Sequence, residues 1–415
     1  MSVVGSQQRT LIELLAQLRP HWRQDRNLPA RIQTLLARNR SFGSRDRRLY
    51  RELIYTTLRY LPWLEADLEH SPEEAVRGIS WLAADLPSTA NFRRSVTAGW
   101  PECPANVAGK AAALNAVQAD TEPSFEDAPR KPDDLLPDWL RTECPEAFNA
   151  LQIDALHRRA PLWLRVHPAA IDRVTAEFNL LGWQWRTSAV LSNALQILDE
   201  VDVTKTTSFE QGAFEVQDLG SQLLLESAGI TTGGRWLDAC AGAGGKTLQL
   251  AQLLGPSASI EAYDVRPAAL AELAARAKRA HLRTITVITP SPGKTYDGVL
   301  VDAPCSGSGT WRRSPHLKWV TTPRHIIDAV NLQGTILTKF SACVRPGGRL
   351  VYSTCSLNRS ENEAVIADFL DHHPDFSPEQ PHCDFGGIVR GGGLSLLPAL
   401  HDNDGFFVAA LRRRD

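Results

Sequence analysis

The sequence predicts a doubly wound α/β domain preceded by a small α+β unit and an all-helical N-terminal domain. Three observations carry this expectation. Short apolar runs alternate with helical segments in the C-terminal half, a glycine-bearing loop follows one of the first of those runs, and residues 9–68 space their apolar side chains as helices do. A length of 415 residues also exceeds what one core holds and points to about two or three domains.

In the first part, Tyr50, Ile54, Leu58 and Leu61 recur at helical spacing, while Arg45, Arg48, Glu52 and Arg59 fall on other faces. Arg31, Arg38, Arg40, Arg45, Arg47, Arg48 and Arg51 lie close together, as a solvated helix face or as a patch facing RNA. Residues 72–117 carry few signals. The helical domain is expected over 1–120, and the polar, Pro-bearing "DTEPSFEDAPRKPDD" reads as a linker to 134. Over 135–205, "LLPDWLRTECPEAFNALQIDAL" suggests two short helices and "PLWLRVHP" a strand entering a turn at Pro168. From 206 to 415 the pattern changes. "RWLD" precedes a helix to Leu254, "SIEAYD" a helix to Ala280, and "ITVI", "GVLVD" and "GRLVYSTC" follow as strands of a mostly parallel sheet.

Composition narrows the function classes. Hydrophobic residues make up 43% and charged residues 22%, as in soluble globular proteins. Lys+Arg 45 against Asp+Glu 47 gives a net charge of -2, so any nucleic-acid contact must rest on a local basic patch. "MSVVGSQQRTLIELL" shows no secretory pattern, and no run approaches the ~18 apolar residues of a membrane helix. The 7 cysteines are scattered without a C-x-x-C pair, which argues against a disulfide framework or a zinc site and for a reducing cytoplasm.

Chemistry gathers at the strand ends. In "WLDACAGAGGKTLQL" a strand, a loop of small residues and a helix follow one another, which lets backbone approach a ligand. Lys246-Thr247 after Gly245 resembles the end of a P-loop, but that motif requires glycine where Cys240 stands. Asp264, ending the next strand, is placed either to accept from ribose hydroxyls or to cap a helix. Two cysteines, Cys305 and Cys355, each follow a sheet strand beside Ser, Thr or Gly. A lone cysteine is usually a small buried hydrophobe; two on one sheet edge suggest a reactive pair.

In that order, "DACAGAGGKT", "DAPCSGSGTWRRSPHLKW" and "YSTCS…ENE" resemble the motifs of the RNA cytosine-5 methyltransferases, closest to the ribosomal small subunit methyltransferase B (Sun-like) group. "FEVQDLGSQ" resembles the segment entering that family's catalytic domain, "DGFFVAALRR" its last strand, and "SRDRRLYRELIYTTLRYLPWLEADL" its NusB-like helical domain. The resemblance implies a Rossmann-like S-adenosylmethionine-dependent domain acting on RNA, with small-subunit ribosomal RNA the expected substrate. Cys355 would attack C6 of cytosine, Asp302 would hydrogen-bond the N3 side of the base, and Cys305 would help remove the C5 proton. Cys240, Ala241, Gly242, Ala243, Gly244, Gly245 and Lys246 would hold the methionine part of the cofactor. Asp264 would hold its ribose and Ser291 its adenine amino group, with Asp302 lining the same site. Arg312, Arg313, Lys318, Arg45 and Arg48 would contact RNA; an ion pair is the alternative for Arg312 and Arg313. No metal is implied, and a monomer is expected.

Three departures stand out. Gly242-Ala243 replaces the usual Ala-Pro, Ser291 stands where an acidic residue is expected, and no Arg occurs near Ala269. Two rivals remain: a non-catalytic RNA-binding or ribosome-assembly protein on a retired methyltransferase fold, and a DNA cytosine-5 methyltransferase. The latter would make Cys305 the nucleophile and leave Cys355 unexplained.

Overall fold

The computed structural model describes residues 2–119, 128–289 and 293–415. Two units emerge: Met1–Arg159 with Trp311–Thr322, and Ala160–Thr310 with Pro323–Asp415.

The first unit is helical. Its elements are α1 (Val3–Leu18), α2 (Leu28–Arg38), α3 (Ser44–Arg59), α4 (Leu61–His70), α5 (Pro72–Leu82), α6 (Ala90–Val96), α7 (Val107–Ala119), α8 (Leu140–Glu143) and α9 (Ala150–His157). The late segment Trp311–Thr322 adds the short helix α15 (Leu317–Val320). In α3 the helical period buries Leu49, Tyr50, Leu53, Ile54 and Leu58 and leaves Arg45, Arg48 and Arg51 exposed. The stretch after residue 72 lacked such a period because α5 buries Ala75, Val76, Gly78, Ile79, Ser80, Trp81 and Leu82, nearly its whole circumference. The expected boundary at 120 is too early. Leu135, Leu140, Ile153 and Leu156 are buried within this same unit, which therefore runs on to Arg159. Of the expected linker, residues 121–127 lie outside the described residues; Arg130 is fixed by Asp67 and by the Trp63 carbonyl.

The second unit carries two sheets. β1 (Leu162–Val166), α10 (Ile171–Leu180), β2 (Trp185–Thr187), β3 (Ala194–Ile197), α11 (Thr207–Glu210) and β4 (Phe214–Val216) form the smaller layer. Its strand order is β2-β3-β1-β4, all antiparallel, over a core that includes Leu164, Val174, Phe178, Leu195 and Phe214. β4 pairs with β1, Leu164 opposite Val216, so the small sheet draws a strand from beyond the expected boundary at 205.

The larger sheet follows α12 (Leu219–Ser227). It contains β5 (Arg235–Asp238), α13 (Gly245–Leu254), β6 (Ser259–Ala262), α14 (Pro267–Arg279), β7 (Ile285–Val287), β8 (Tyr296–Asp302), α16 (Pro323–Ser341), β9 (Val344–Thr354) and α17 (Glu363–His372). β10 (Phe376–Pro378), β11 (Ile388–Arg390), β12 (Gly393–Leu396) and β13 (Phe406–Arg413) complete it. The order is β11-β12-β13-β9-β8-β5-β6-β7, with β10 on β13. β5 to β9 pair in parallel, as the apolar runs predicted; β10 to β13 are antiparallel additions. Val299, Leu300, Val301, Leu350, Val351 and Tyr352 have no solvent exposure, which is why these strands read as unbroken apolar runs. The chain runs outward from β5 through β6 to β7, then returns to β8 on the other side of β5. That reversal is a topological switch point, where open α/β sheets hold ligands beyond the strand ends.

In the helical unit, Lys318 is buried and donates to the carbonyls of Arg59 (2.9 Å) and Leu135 (3.2 Å) and to His157 Nε2 (2.8 Å). The His157 Nδ1 pairs with the Ile153 carbonyl at 2.6 Å, so the ring must be neutral with its proton on Nδ1. Burial, with the Lys318 charge beside it, holds His157 well below the usual imidazole range. The folded state therefore binds fewer protons than the unfolded one, and stability present above about pH 6.5 is lost as pH falls. Urea unfolding of this unit should weaken by about 1 kcal/mol per pH unit below that value. His157→Gln should reduce the slope and leave the part due to His316, which burial also lowers; an unchanged slope would remove His157 from the account.

Candidate active site

The site is built on the C-terminal ends of β5, β6, β8 and β9. β5 ends in Asp238, buried, accepting from Thr247 Oγ1 at 2.7 Å and, more weakly, from the Cys240 N–H at 3.4 Å. These bonds tie the loop over 240–245 to the first turn of α13. Gly244 sits at φ +89° with Leu273 only 2.8 Å from where a side chain would begin, so a larger residue is excluded. The Ala241 N–H donates to the Tyr263 carbonyl and the Ala243 carbonyl accepts from Arg276, which brings the loop against the end of β6. Burial first, then the charges of Asp238 and Asp302, push the Cys240 thiol up to about 12, so it serves as packing.

Just beyond β6, Asp264 accepts from the Gly242 N–H at 2.9 Å and from the Arg266 guanidinium at 2.9 and 3.0 Å. The Arg266 hydrogen bond is the main reason that its carboxyl is held below the usual range. Arg266 stands at the N-cap position of α14 without a side-chain cap, and Asp264 also accepts its backbone N–H at 2.9 Å, so Asp264 shapes the entry to that helix as well. Val265 beside it is 79% exposed, an apolar side chain left open at a ligand-binding edge. Left-handed glycines, a strand-end carboxylate and an open apolar side chain fit a nucleoside, with Arg266 long and exposed enough to swing aside.

Asp302 ends β8. Its Oδ2 accepts from Lys246 Nζ at 2.8 Å and its Oδ1 from Ser353 Oγ at 2.9 Å. Burial alone would lower Lys246, but the charge and hydrogen bond of Asp302, with Cys355 adding, raise it, so it stays an ammonium. Asp302 lies opposite Ser353 in the parallel pairing of β8 with β9, which places the loops after both strands side by side. There the Cys305 and Cys355 sulfurs approach to 3.3 Å. The hydrogen bond to Cys355, then burial, raise Cys305 well above the usual thiol range. Either sulfur can donate in this contact, and the raised value marks Cys305 as the harder of the two to ionise. Gly309 allows this approach: a Cβ there would lie 2.0 Å from the Gly405 oxygen, while its N–H donates to the Cys355 carbonyl at 3.0 Å.

The structure brings Asp302, Cys305, Cys355 and Lys246 together and sets Asp264 and the glycine loop on the same edge. Ser291 lies outside the described residues. Arg312 and Lys318 correct the expectation of RNA contact. Each is 1% exposed, and each is engaged in the helical unit, Lys318 as above and Arg312 at the Arg159 carbonyl. The local motif drew attention to their charge; a partner segment distant in sequence covers them. Arg313, Arg45 and Arg48 are exposed. Ser353 escaped the sequence reading; it lies near the end of β9, two residues before Cys355. Among the described residues, no His, Cys, Asp or Glu cluster could hold a metal and no helix is long and apolar enough to cross a membrane.

A family model described as 16S rRNA methyltransferase RsmB/F matches residues 228–412. A probable ribosomal RNA small subunit methyltransferase B from Synechocystis sp. is 32% identical over 298 residues, covering 67% of this chain and 66% of that relative. The ribosomal RNA small subunit methyltransferase B of Xylella fastidiosa is 30% identical over 397 residues, 88% of this chain and 90% of its own length. Among solved structures, a methyltransferase homolog protein from Pyrococcus horikoshii aligns with a TM-score of 0.55 at 26% identity, over 64% of this chain and 90% of that one.

Asp238 supplies a test of the site's electrostatics. Burial lifts its carboxyl to about 7 against the lowering bond from Thr247. The folded value lies above the unfolded one, so the stability that protonation gives is present at low pH and lost as pH rises through 7. Asp238→Asn cannot ionise. It should gain on the order of 2 kcal/mol over the parent in going from about pH 5 to about pH 8 in thermal unfolding. An equal difference at both pH values would contradict the assignment.

Proposed function

The chain belongs to the 16S rRNA methyltransferase RsmB/F family, and from that premise we propose an RNA cytosine-5 methyltransferase that modifies small-subunit ribosomal RNA. The observation that carries the reading is the pair of thiols 3.3 Å apart beside Asp302. The glycine loop, Lys246, Asp264 and Val265 are the residues that would hold S-adenosylmethionine, which supplies an electrophilic methyl group when bound.

C5 of cytosine is too weak a nucleophile to take a methyl group unaided. Addition of a thiolate at C6 makes C5 enamine-like, and Cys355 is the thiol whose neighbour stays protonated. Asp302, held by Lys246 and Ser353, presents its carboxylate to the N3 edge of the base. The target must be unstacked for either group to reach it. Once Cys355 is bonded to C6 as a neutral thioether, it no longer carries the charge that helps to raise Cys305. Cys305 then releases its own proton to water more readily and, as thiolate, takes the C5 proton, and elimination returns Cys355 as thiolate.

The exposed Arg45 and Arg48 remain suited to phosphate contact. A non-catalytic scaffold gives no reason to keep two coupled thiols next to a clamped carboxylate. A DNA-type mechanism would require attack by Cys305, the thiol held protonated.

With unmethylated small-subunit RNA and the methyl donor, Cys355→Ala should abolish methyl transfer. Cys305→Ala should methylate once and remain covalently bound to RNA, visible as a band resistant to denaturing gel electrophoresis. Full turnover by Cys355→Ala would overturn the assignment.

A further inference from the structure

We infer that Glu361 is a positioning residue that fastens both thiol-bearing loops to one point and thereby fixes which cysteine attacks. This rests on the reading above for the meaning of attack.

Glu361 ends a short 3-10 turn after β9 and has no solvent exposure. Its carboxylate accepts five hydrogen bonds, none from a cation. Oε1 takes the Ser306 N–H at 2.7 Å and Gln333 Nε2 at 3.0 Å. Oε2 takes Ser306 Oγ at 2.5 Å, Ser356 Oγ at 2.5 Å and Asn358 Nδ2 at 2.8 Å. A carboxylate is buried among neutral donors at a large desolvation cost unless its lone pairs are satisfied, and here they are.

The donors name the purpose. Ser306 follows Cys305, and Ser356 follows Cys355 in the chain. Gln333 also donates to the Pro304 carbonyl at 3.0 Å, so the first loop is gripped on both sides of its thiol. On the second, Thr354 Oγ1 donates to Asn362 at 2.6 Å and Asn362 Nδ2 to the Ser356 carbonyl at 2.9 Å, bracketing Cys355. Tyr352 donates to the Glu361 carbonyl at 2.7 Å, which anchors the turn to β9. Glu361 touches no reacting atom. It acts through the two serines, and its negative charge adds to what keeps the Cys305 thiol protonated.

The test uses the full chain with Glu361→Gln, which keeps the shape and removes the charge. In a Cys305→Ala background, the rate of covalent adduct formation with RNA should fall about 100-fold, as for a reacting group displaced by about 1 Å, with RNA affinity unchanged. Without RNA or cofactor, iodoacetamide should modify Cys355 ahead of Cys305 in the parent. In Glu361→Gln that preference should narrow about threefold, equivalent to about half a pKa unit. Parent-like adduct rate together with parent-like alkylation order would overturn the proposal. Should Glu361→Gln fail to fold, Ser306→Ala and Ser356→Ala each remove one hydroxyl. Each should slow adduct formation about tenfold, and parent-like rates in both would overturn it equally. A parent that forms no RNA adduct, yet loses its alkylation preference in Glu361→Gln, would retire the RNA reading and keep Glu361 in its place.

Discussion

Two sulfur atoms 3.3 Å apart, on loops that leave neighbouring parallel strands, set the demand that the rest of the catalytic unit meets. Parallel pairing of β8 with β9 brings Asp302 opposite Ser353 and starts both loops from the same level of the sheet. Nothing in strand pairing alone would then hold two flexible loops in sulfur contact. Ser-Gly-Ser-Gly in the first loop lets it pass under Gly405 at a distance no side chain permits, and the buried carboxylate of Glu361 ties it to the second. Close contact makes the thiols unequal. Cys305, hydrogen-bonded to Cys355 and buried, is pushed well above the usual thiol range and so is the harder of the two to ionise.

Around that contact, charge is arranged in a chain. Lys246 is kept charged by Asp302, Asp302 is oriented by Lys246 and Ser353, and Asp238 behind them takes a proton near neutrality because burial outweighs its hydrogen bonds. The cofactor edge is less strained. Asp264 satisfies itself with the exposed Arg266 guanidinium and the Gly242 N–H. The two halves of the site therefore differ: the thiol loops are fastened by buried hydrogen bonds, whereas Asp264 is paired with a guanidinium that is 68% exposed.

Much of this was legible in the residues. Apolar runs marked the parallel strands because both faces are covered, and Asp264, Asp302 and Cys355 could be picked out because each stands at or just past the end of such a run. What escaped was decided by distant partners. Lys318 and Arg312 looked like RNA contacts beside a reactive loop, but helices from the start of the chain bury them. The domain boundary at 120 failed for the same reason, since Leu135 and Leu156 belong to a core assembled far upstream. α5 was unreadable because burial on all sides erases the helical period. Glu361 was visible only as part of a motif, since a carboxylate that orients other residues has no local signature.

The most direct test of the division of labour between the thiols uses RNA carrying 5-fluorocytidine at the target position. After cysteine addition and methylation, fluorine at C5 cannot leave as a proton would, so the unaltered enzyme should stay joined to the RNA through its nucleophile. Peptide mapping of that adduct is predicted to place the nucleotide on Cys355. A nucleotide on Cys305 would contradict the account.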